Sequence, residues 1–278
     1  MRLLNCLLIT FICCSPTQAL ALDLNDLLEI GSDIVDANKK VSVKEEIELG
    51  GNLVSGLLGA APLVDNAELQ RYVNDVGFWV ASHSRRKDLP WRFGVIDSGG
   101  INAFAAPGGY IVITLGLFSL LENEAQLAGV LGHEISHVIK KHHLKALQKT
   151  MKRGVWGKIG VRALADKKDQ ETFDKVINAG VQLYASGLDR ELEYQADKRG
   201  VVLAARAGYD PYALLDVLTT IDSINPSEAG LAVMLKTHPP TGKRLRKLAK
   251  LMDGELDKYA SGKTNSGRFI AVSSRINR

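Results

Sequence analysis

The stretch that most constrains the fold of this chain is a five-residue motif, His133-Glu134-Ile135-Ser136-His137. Residues four positions apart on an α-helix differ by about 40° around its axis, so both imidazoles project from one face. Two imidazoles placed in this way can bind one metal ion, and a glutamate beside them can take a proton from water. The motif therefore predicts a helix that carries half of a metal site.

The residues around the motif are small or apolar, which predicts that its helix is buried. The apolar flank consists of Leu127, Ala128, Val130, Leu131, Ile135, Val138 and Ile139. Two histidines and a glutamate buried without partners would destabilise the fold, and a bound metal ion removes that cost. The alternative is a chance match on a surface helix, but polar residues would then alternate with the apolar ones.

The first 21 residues have the pattern of a cleaved signal peptide. Arg2 is followed by an apolar run and then by Ala19-Leu20-Ala21, which resembles a signal-peptidase site. The apolar run is short for a membrane-spanning helix, so an uncleaved anchor is the less favoured alternative. We therefore expect residues 1–21 to be removed and the mature protein to be periplasmic.

Composition narrows the kind of metal site and the kind of partner. All three cysteines lie in the first 14 residues, so a metal in the mature chain has to be bound by histidines and carboxylates. The formal net charge of the 278-residue chain is +4. This charge is too small to indicate a nucleic-acid partner, and we expect none.

Periodicity along the chain predicts an α+β fold that is mostly helical. Residues 22–64 are expected to form two short helices that wrap the main domain at 65–252. Three β-rich runs at 90–97, 101–105 and 110–114 predict a small sheet of three to four strands beside the motif helix. Residues 253–278 are expected to form a flexible tail, with a short strand at 269–272.

The segment 140–168 is strongly basic and contains Asp166 as its one acidic residue. Apolar residues are interleaved with the lysines and arginines, as in helices that lie on a membrane surface. A solvated helical hairpin beside the site explains the same pattern and is the favoured alternative. Peripheral contact with a membrane is therefore an open hypothesis for this segment.

A third metal ligand is predicted in a second helical stretch, where Glu193 and Asp197 are four residues apart. On one helix face, Glu193 can bind the ion while Asp197 accepts the N–H of a ligand histidine and orients its ring. The competitor Glu191 points about 200° away from Glu193. The alternative is an ordinary charged helix face.

Four motifs together resemble the gluzincin family of HtpX-like and CAAX-prenyl-protease-like metallopeptidases. They are the sequences at 133–137, 193–200, 102–109 and 238–244, which resemble the family's HExxH, ExxADxxG, NAFAxPGG and HPxxxxR elements. The soluble exported members of the BepA and LoiP types resemble this chain best. The resemblance implies a zincin-type metalloprotease domain that binds one Zn²⁺ per chain.

The expected zinc ligands are His133, His137 and Glu193, with Glu134 as the catalytic acid and base. Two further residues are expected near the metal. His238 can be a fourth ligand that plugs the site, a donor to the transition state, or a residue that caps a loop. Arg244 can stabilise negative charge during catalysis or pair with Asp197. His142 and His143 are expected to face solvent just past the motif helix.

The extended run Asn102-Ala103-Phe104-Ala105 is the expected substrate-binding strand, because a strand at a sheet edge can pair with an extended peptide. An ordinary hairpin strand explains the same residues equally well. The function predicted is a zinc-dependent endopeptidase that cleaves unfolded or misassembled cell-envelope proteins with weak sequence preference. The alternative is a chaperone-like assembly factor that binds such clients and cleaves rarely.

Overall fold

The computed structural model describes residues 41–146, 187–224, 231, 234, 237, 238, 241–256, 259 and 261–276. The predicted signal peptide at 1–21 lies outside the described residues. So do the first predicted helix of the N-terminal wrap and residues 147–168 of the basic segment.

The sheet has three strands, as the sequence predicts. They are β1 (Arg92–Ile96), β2 (Ala103–Ala106) and β3 (Tyr110–Thr114). Their order is β1-β3-β2, with β3 parallel to β1 and antiparallel to β2. The strand that the sequence assigns to substrate binding is therefore at an edge of the sheet.

The remaining described elements are helical, and this confirms a mostly helical α+β fold. In chain order they are α1 (Val43–Ala60), α2 (Ala67–Ser82), a 3-10 turn (Pro107–Gly109), α3 (Leu115–Leu120), α4 (Glu124–Lys140), α5 (Arg190–Arg206), α6 (Ala213–Ser223), α7 (Thr241–Glu255) and α8 (Ser266–Ser273). None of the described helices has the length and apolar character that a bilayer-spanning helix requires.

The N-terminal helix α1 begins with a capping box, in which Ser42 and Glu45 exchange side-chain and backbone hydrogen bonds. It continues through several glycines that weaken the helix prediction from sequence. One of these glycines, Gly50, is required by packing, because a Cβ atom at this position would lie 1.8 Å from the carbonyl oxygen of Pro107. The glycine thus lets α1 pack against the turn between β2 and β3.

The HExxH helix α4 runs through the centre of the core. Asn123 caps its first turn by accepting a hydrogen bond from the backbone N–H of Gln126. It crosses α5 at Gly132 and Gly200, where a Cβ on Gly200 would lie 2.6 Å from the backbone nitrogen of His133. Two glycines at this crossing bring the carboxylates of α5 within reach of the motif histidines.

The strand predicted at 269–272 is wrong, because these residues belong to helix α8. Phe269 and Val272 are buried while Ile270 is 56% exposed, which is a helical pattern of burial. The ring of Phe269 stacks on Phe118 at 5.0 Å between centroids. Residues 261–276 are therefore packed on the domain, contrary to the expectation of a flexible tail.

Polar contacts hold the start of α8 to the HExxH helix. The buried carboxylate of Glu124 accepts hydrogen bonds from Asn265 at 2.9 Å, Tyr72 at 2.9 Å and Tyr209 at 3.0 Å. Arg268 lies 3.3 Å from the same carboxylate. This network ties the C-terminal segment to the first turn of α4.

Candidate metal centre

Three buried side chains from α4 and α5 meet at one point. The Nε2 atoms of His133 and His137 are 3.0 Å apart. The carboxylate of Glu193 reaches both, with its Oε1 3.4 Å from His137 Nε2 and its Oε2 3.6 Å from His133 Nε2. Ligands about 2.0–2.1 Å from a tetrahedral ion are roughly 3.3 Å from one another. The spacing of these donors therefore fits a single Zn²⁺.

A second observation tests whether a metal ion suits this site. Among the described residues, the buried oxygens Glu193 Oε1 and Glu134 Oε2 have no hydrogen-bond partner. Buried carboxylate oxygens are ordinarily hydrogen-bonded or bound to a metal. A cation between the imidazoles would satisfy Glu193, and water next to that cation would satisfy Glu134. The donor set of two imidazoles and a carboxylate fits zinc.

His238 is the fourth member of this cluster. Its Nδ1 is 2.8 Å from Glu193 Oε2, and its Nε2 is 4.0 Å from Glu134 Oε1. The side chain is buried, and its ring centroid is 5.5 Å from that of His133. Of the three interpretations open from sequence, this geometry favours a fourth ligand that occupies the remaining side of the site.

Asp197 and Arg244 form a buried pair behind His133. Asp197 Oδ1 is 2.9 Å from His133 Nδ1, and Arg244 donates two hydrogen bonds of 2.6 and 2.8 Å to Asp197. Burial alone would raise the pKa of Asp197, but the charge and hydrogen bonds of Arg244 lower it to about 2. The ionised Asp197 holds the Nδ1–H of His133, which directs Nε2 towards the cluster.

The pKa values of Glu193 and Glu134 are shifted in opposite directions, because the histidines outweigh burial at Glu193 but not at Glu134. Burial would raise the pKa of Glu193, but His238 and His133 hold it well below its usual range. Burial raises the pKa of Glu134, which faces fewer compensating hydrogen bonds. The carboxylate of Glu193 thus stays ionised, as a metal ligand needs to be. The carboxylate of Glu134, with its raised pKa, is suited to receiving and releasing a proton.

His142 is a residue of the site that the sequence interpretation missed. It was expected to face solvent, but it is buried, and its Nδ1 is 3.1 Å from His137 Nδ1. Lys141 ends α4 in the left-handed conformation at φ 56° and turns the chain back towards His137. Burial lowers the pKa of His142 to about 4, so the neutral ring can accept the Nδ1–H of His137.

His143, also expected to face solvent, lies beside the same ring. Its centroid is 5.3 Å from that of His137. The only sequence signal for either residue is a histidine pair that follows the motif at a short distance. Glu191, by contrast, points away from the cluster, and its exposed side chain pairs with Lys247 at 3.3 Å.

The expected substrate-binding residues lie along β2 and at its start. Asn102 is buried, and its Oδ1 accepts hydrogen bonds from the backbone N–H of Ala103 at 2.9 Å and from Thr237 at 3.3 Å. Ala103 and Ala105 are buried and Phe104 is half-buried. Because Thr237 precedes His238 in the chain, this contact links the start of β2 to the residue that occupies the fourth side of the metal cluster.

Comparison with known proteins places this chain among metallopeptidases. The family described as peptidase family M48 matches residues 64–252. The beta-barrel assembly-enhancing protease of Escherichia coli K12 is 32% identical over 215 residues, which are 75% of this chain and 44% of that protein. The protein of the same name from Yersinia pestis is 30% identical over 83% of this chain and 48% of its own length.

A mitochondrial relative has similar identity over a shorter region. The mitochondrial metalloendopeptidase OMA1 of Arabidopsis thaliana is 29% identical over 171 residues, which are 61% of this chain and 33% of that protein. The chain thus spans less than half the length of these relatives.

Proposed function

The chain belongs to peptidase family M48, and we propose that it is a zinc-dependent metalloendopeptidase that hydrolyses peptide bonds of unfolded or misassembled cell-envelope proteins. One observation carries the proposal. Three buried donors lie 3.0 to 3.6 Å apart, and the carboxylate of Glu134 follows directly after the first of them. Two imidazoles and a carboxylate beside a second glutamate are the donor set of a catalytic zinc site, whereas structural sites are usually built from cysteines.

In this proposal His133, His137 and Glu193 hold one Zn²⁺. The ion, when bound, would lower the pKa of water towards 7 and polarise the peptide carbonyl. Glu134 takes a proton from the attacking water and later donates it to the leaving nitrogen. Asp197, held by Arg244, keeps His133 in the orientation that ligation needs.

The substrate class follows from the sheet edge. A peptide that pairs with β2 contributes main-chain hydrogen bonds, so it has to be extended rather than folded. Unfolded or misassembled proteins provide such segments. The signal-peptide pattern of residues 1–21 supports a periplasmic location, and the relatives named beta-barrel assembly-enhancing proteases support clients in the envelope. Membrane contact through 140–168 stays a prediction.

Removal of metal tests the proposal. The zinc-loaded protein without residues 1–21 is expected to degrade casein, an unfolded protein, and to lose this activity on chelation. Added Zn²⁺ is expected to restore it, because the buried donors remain in place. Fragments resolved by electrophoresis and zinc content measured on the same sample provide the readout. Zinc-loaded protein that leaves casein intact would contradict the proposal.

Replacing His238 with alanine is expected to raise the rate of casein cleavage several-fold. His238 lies 2.8 Å from Glu193 and fills the side of the cluster that water and substrate need. The rate of the variant is compared with that of wild type at equal zinc occupancy. His83→Ala is the matched control, because His83 lies at the end of α2 and is no member of the cluster. A fall in rate would instead favour a donor role for His238.

The position of His238 beside Glu193 also supports the second candidate, a chaperone-like assembly factor that cleaves rarely. A cluster whose fourth side is filled by His238 favours slow cleavage. A protein that prevents aggregation of an unfolded client after chelation, and never cuts it with zinc bound, would favour this candidate.

A further inference from the structure

A surface groove lies on the side of helix α5 that faces away from the metal cluster. It is bordered by α5, by α4 and by the residues that follow α2, and its volume is about 520 Å³. From α5 it receives Lys198, Arg199 and Arg206. On an α-helix these residues point roughly 140° to 240° away from the zinc ligand Glu193. The groove is therefore separate from the metal cluster.

The groove is strongly basic. Four exposed cationic side chains line it, namely Arg85, Lys198, Arg199 and Arg206, and none of the described residues that line it is acidic. Within the described part of the chain, the three arginines form no ion pair, whereas the neighbouring Arg86 pairs with two carboxylates. Cations gathered in this way repel one another, and an anion held between them relieves the repulsion.

Two exposed aromatic side chains lie at the rim of this basic groove. Trp79 is 51% exposed, and its indole N–H donates a 2.9 Å hydrogen bond to the carbonyl oxygen of Ala207, next to Arg206. Its ring centroid is 4.7 Å from that of His83, which lines the groove. Phe78 precedes it in the chain and is 57% exposed. Aromatic rings that are accessible in this way are typical of protein surfaces at the boundary between lipid headgroups and acyl chains.

We propose that the basic groove and the aromatic pair Phe78 and Trp79 form a docking face for the surface of an anionic phospholipid bilayer. Guanidinium groups bind phosphate oxygens through paired hydrogen bonds, and phospholipid headgroups present many phosphates in one plane. A phosphate in solution would use the cations but would leave both aromatic rings exposed to water. A bilayer accounts for both features, because its headgroups bind the cations and its boundary region covers the rings.

This inference goes beyond the proposed function and does not depend on it. It also differs from the hypothesis for the basic segment 140–168, because every residue that lines the groove lies outside that segment. The metal cluster is on the opposite side of α5. A protein docked through the groove would therefore keep its cluster directed away from the bilayer, where unfolded clients can reach it.

Flotation with vesicles tests the proposal. The zinc-loaded protein without residues 1–21 is expected to bind vesicles of equal parts phosphatidylglycerol and phosphatidylcholine at least about 10-fold more tightly than vesicles of phosphatidylcholine alone. The difference is expected to shrink at high salt, because ions screen exposed charges. Inorganic phosphate is expected to release no more protein than chloride of equal ionic strength. Specific release by phosphate would assign the groove to a soluble anion and overturn the proposal.

Reversing two charges of the groove is expected to weaken vesicle binding strongly. Each cation near an anionic surface contributes about fivefold, so Arg199→Glu combined with Arg206→Glu is expected to weaken binding by at least about 20-fold. The matched control is Arg246→Glu combined with Lys250→Glu, which makes the same change in charge at exposed positions of α7. Because these positions lie outside the groove, the control is expected to weaken binding by less than about fivefold.

Removing an aromatic ring tests the second half of the docking face. Phe78→Ser is expected to weaken vesicle binding by at least about fivefold, because the bilayer would no longer cover an exposed apolar ring. Ile270→Ser is the matched control, since Ile270 is 56% exposed on α8 and lies outside the docking face. The control is expected to bind vesicles as the wild type does.

The outcomes separate this inference from the proposed function. Vesicle binding that the groove variants leave unchanged, or that the groove variants and their controls weaken equally, overturns the inference, and contact would then lie elsewhere, for example in 140–168. All four proteins are expected to cleave casein in solution at the wild-type rate, because none of the substitutions touches the metal cluster. A zinc-loaded protein that binds vesicles through the groove and never cuts casein would contradict the proposed function alone.

Discussion

Glu134→Gln is expected to reduce casein cleavage by at least about 10²- to 10⁴-fold, the usual contribution of a general acid–base group. Glutamine has nearly the same shape as glutamate but cannot accept and return a proton. Glu134 is no member of the ligand cluster, so zinc content is expected to stay at one ion per chain. Cleavage rate and zinc content are measured on the same preparation.

Glu68→Gln is the matched control for this substitution, because Glu68 is exposed and pairs with Arg275 on the protein surface. It is expected to retain wild-type activity and zinc content. A Glu134→Gln protein that degrades casein at the wild-type rate would contradict the role of Glu134. Loss of zinc from this variant would show instead that the site depends on Glu134 for binding.

Glu193→Ala is expected to weaken zinc binding by more than about 100-fold and to abolish cleavage. Loss of a residue that only supports a ligand typically costs 10- to 100-fold in metal affinity, so loss of a ligand is expected to cost more. Glu193 also lies 3.6 Å from Arg244 and 2.8 Å from His238, and both would lose a buried partner. Zinc affinity is measured by competition with a chromophoric chelator.

Glu191→Ala is the matched control, because it removes the same side chain from the same helix. Glu191 is exposed and pairs with Lys247 outside the cluster, so zinc affinity is expected to match that of wild type. Circular dichroism of both variants separates loss of metal from loss of fold. If folded Glu193→Ala protein bound zinc as tightly as wild type, another residue would have to be the third ligand.

Local patterns were enough to predict the elements that carry the site. The HExxH spacing predicts two imidazoles on one helix face, and their Nε2 atoms are 3.0 Å apart. Helical spacing also distinguishes Glu193 from Glu191, since side chains two positions apart on a helix point about 200° away from each other around its axis. The strands around residue 104 were recognisable because β-branched runs alternate with turn residues.

Contacts between distant segments account for what local patterns did not predict. The left-handed turn at Lys141 folds His142 back onto His137, and no periodicity in the sequence signals such a turn. The strand predicted at 269–272 is a helix because Phe269 packs on Phe118, which is far away in the sequence. A short apolar run is compatible with either conformation until its packing partner is known.

The composition and spacing of the chain thus establish which donors are available and which helices carry them. The position of His238 beside Glu193 and the pairing of Arg244 with Asp197 follow from packing. The physical reason is the range of the interactions involved. Helix and strand periodicity depends on neighbours in sequence, whereas ligation, ion pairing and pocket shape depend on side chains that only the folded chain brings together.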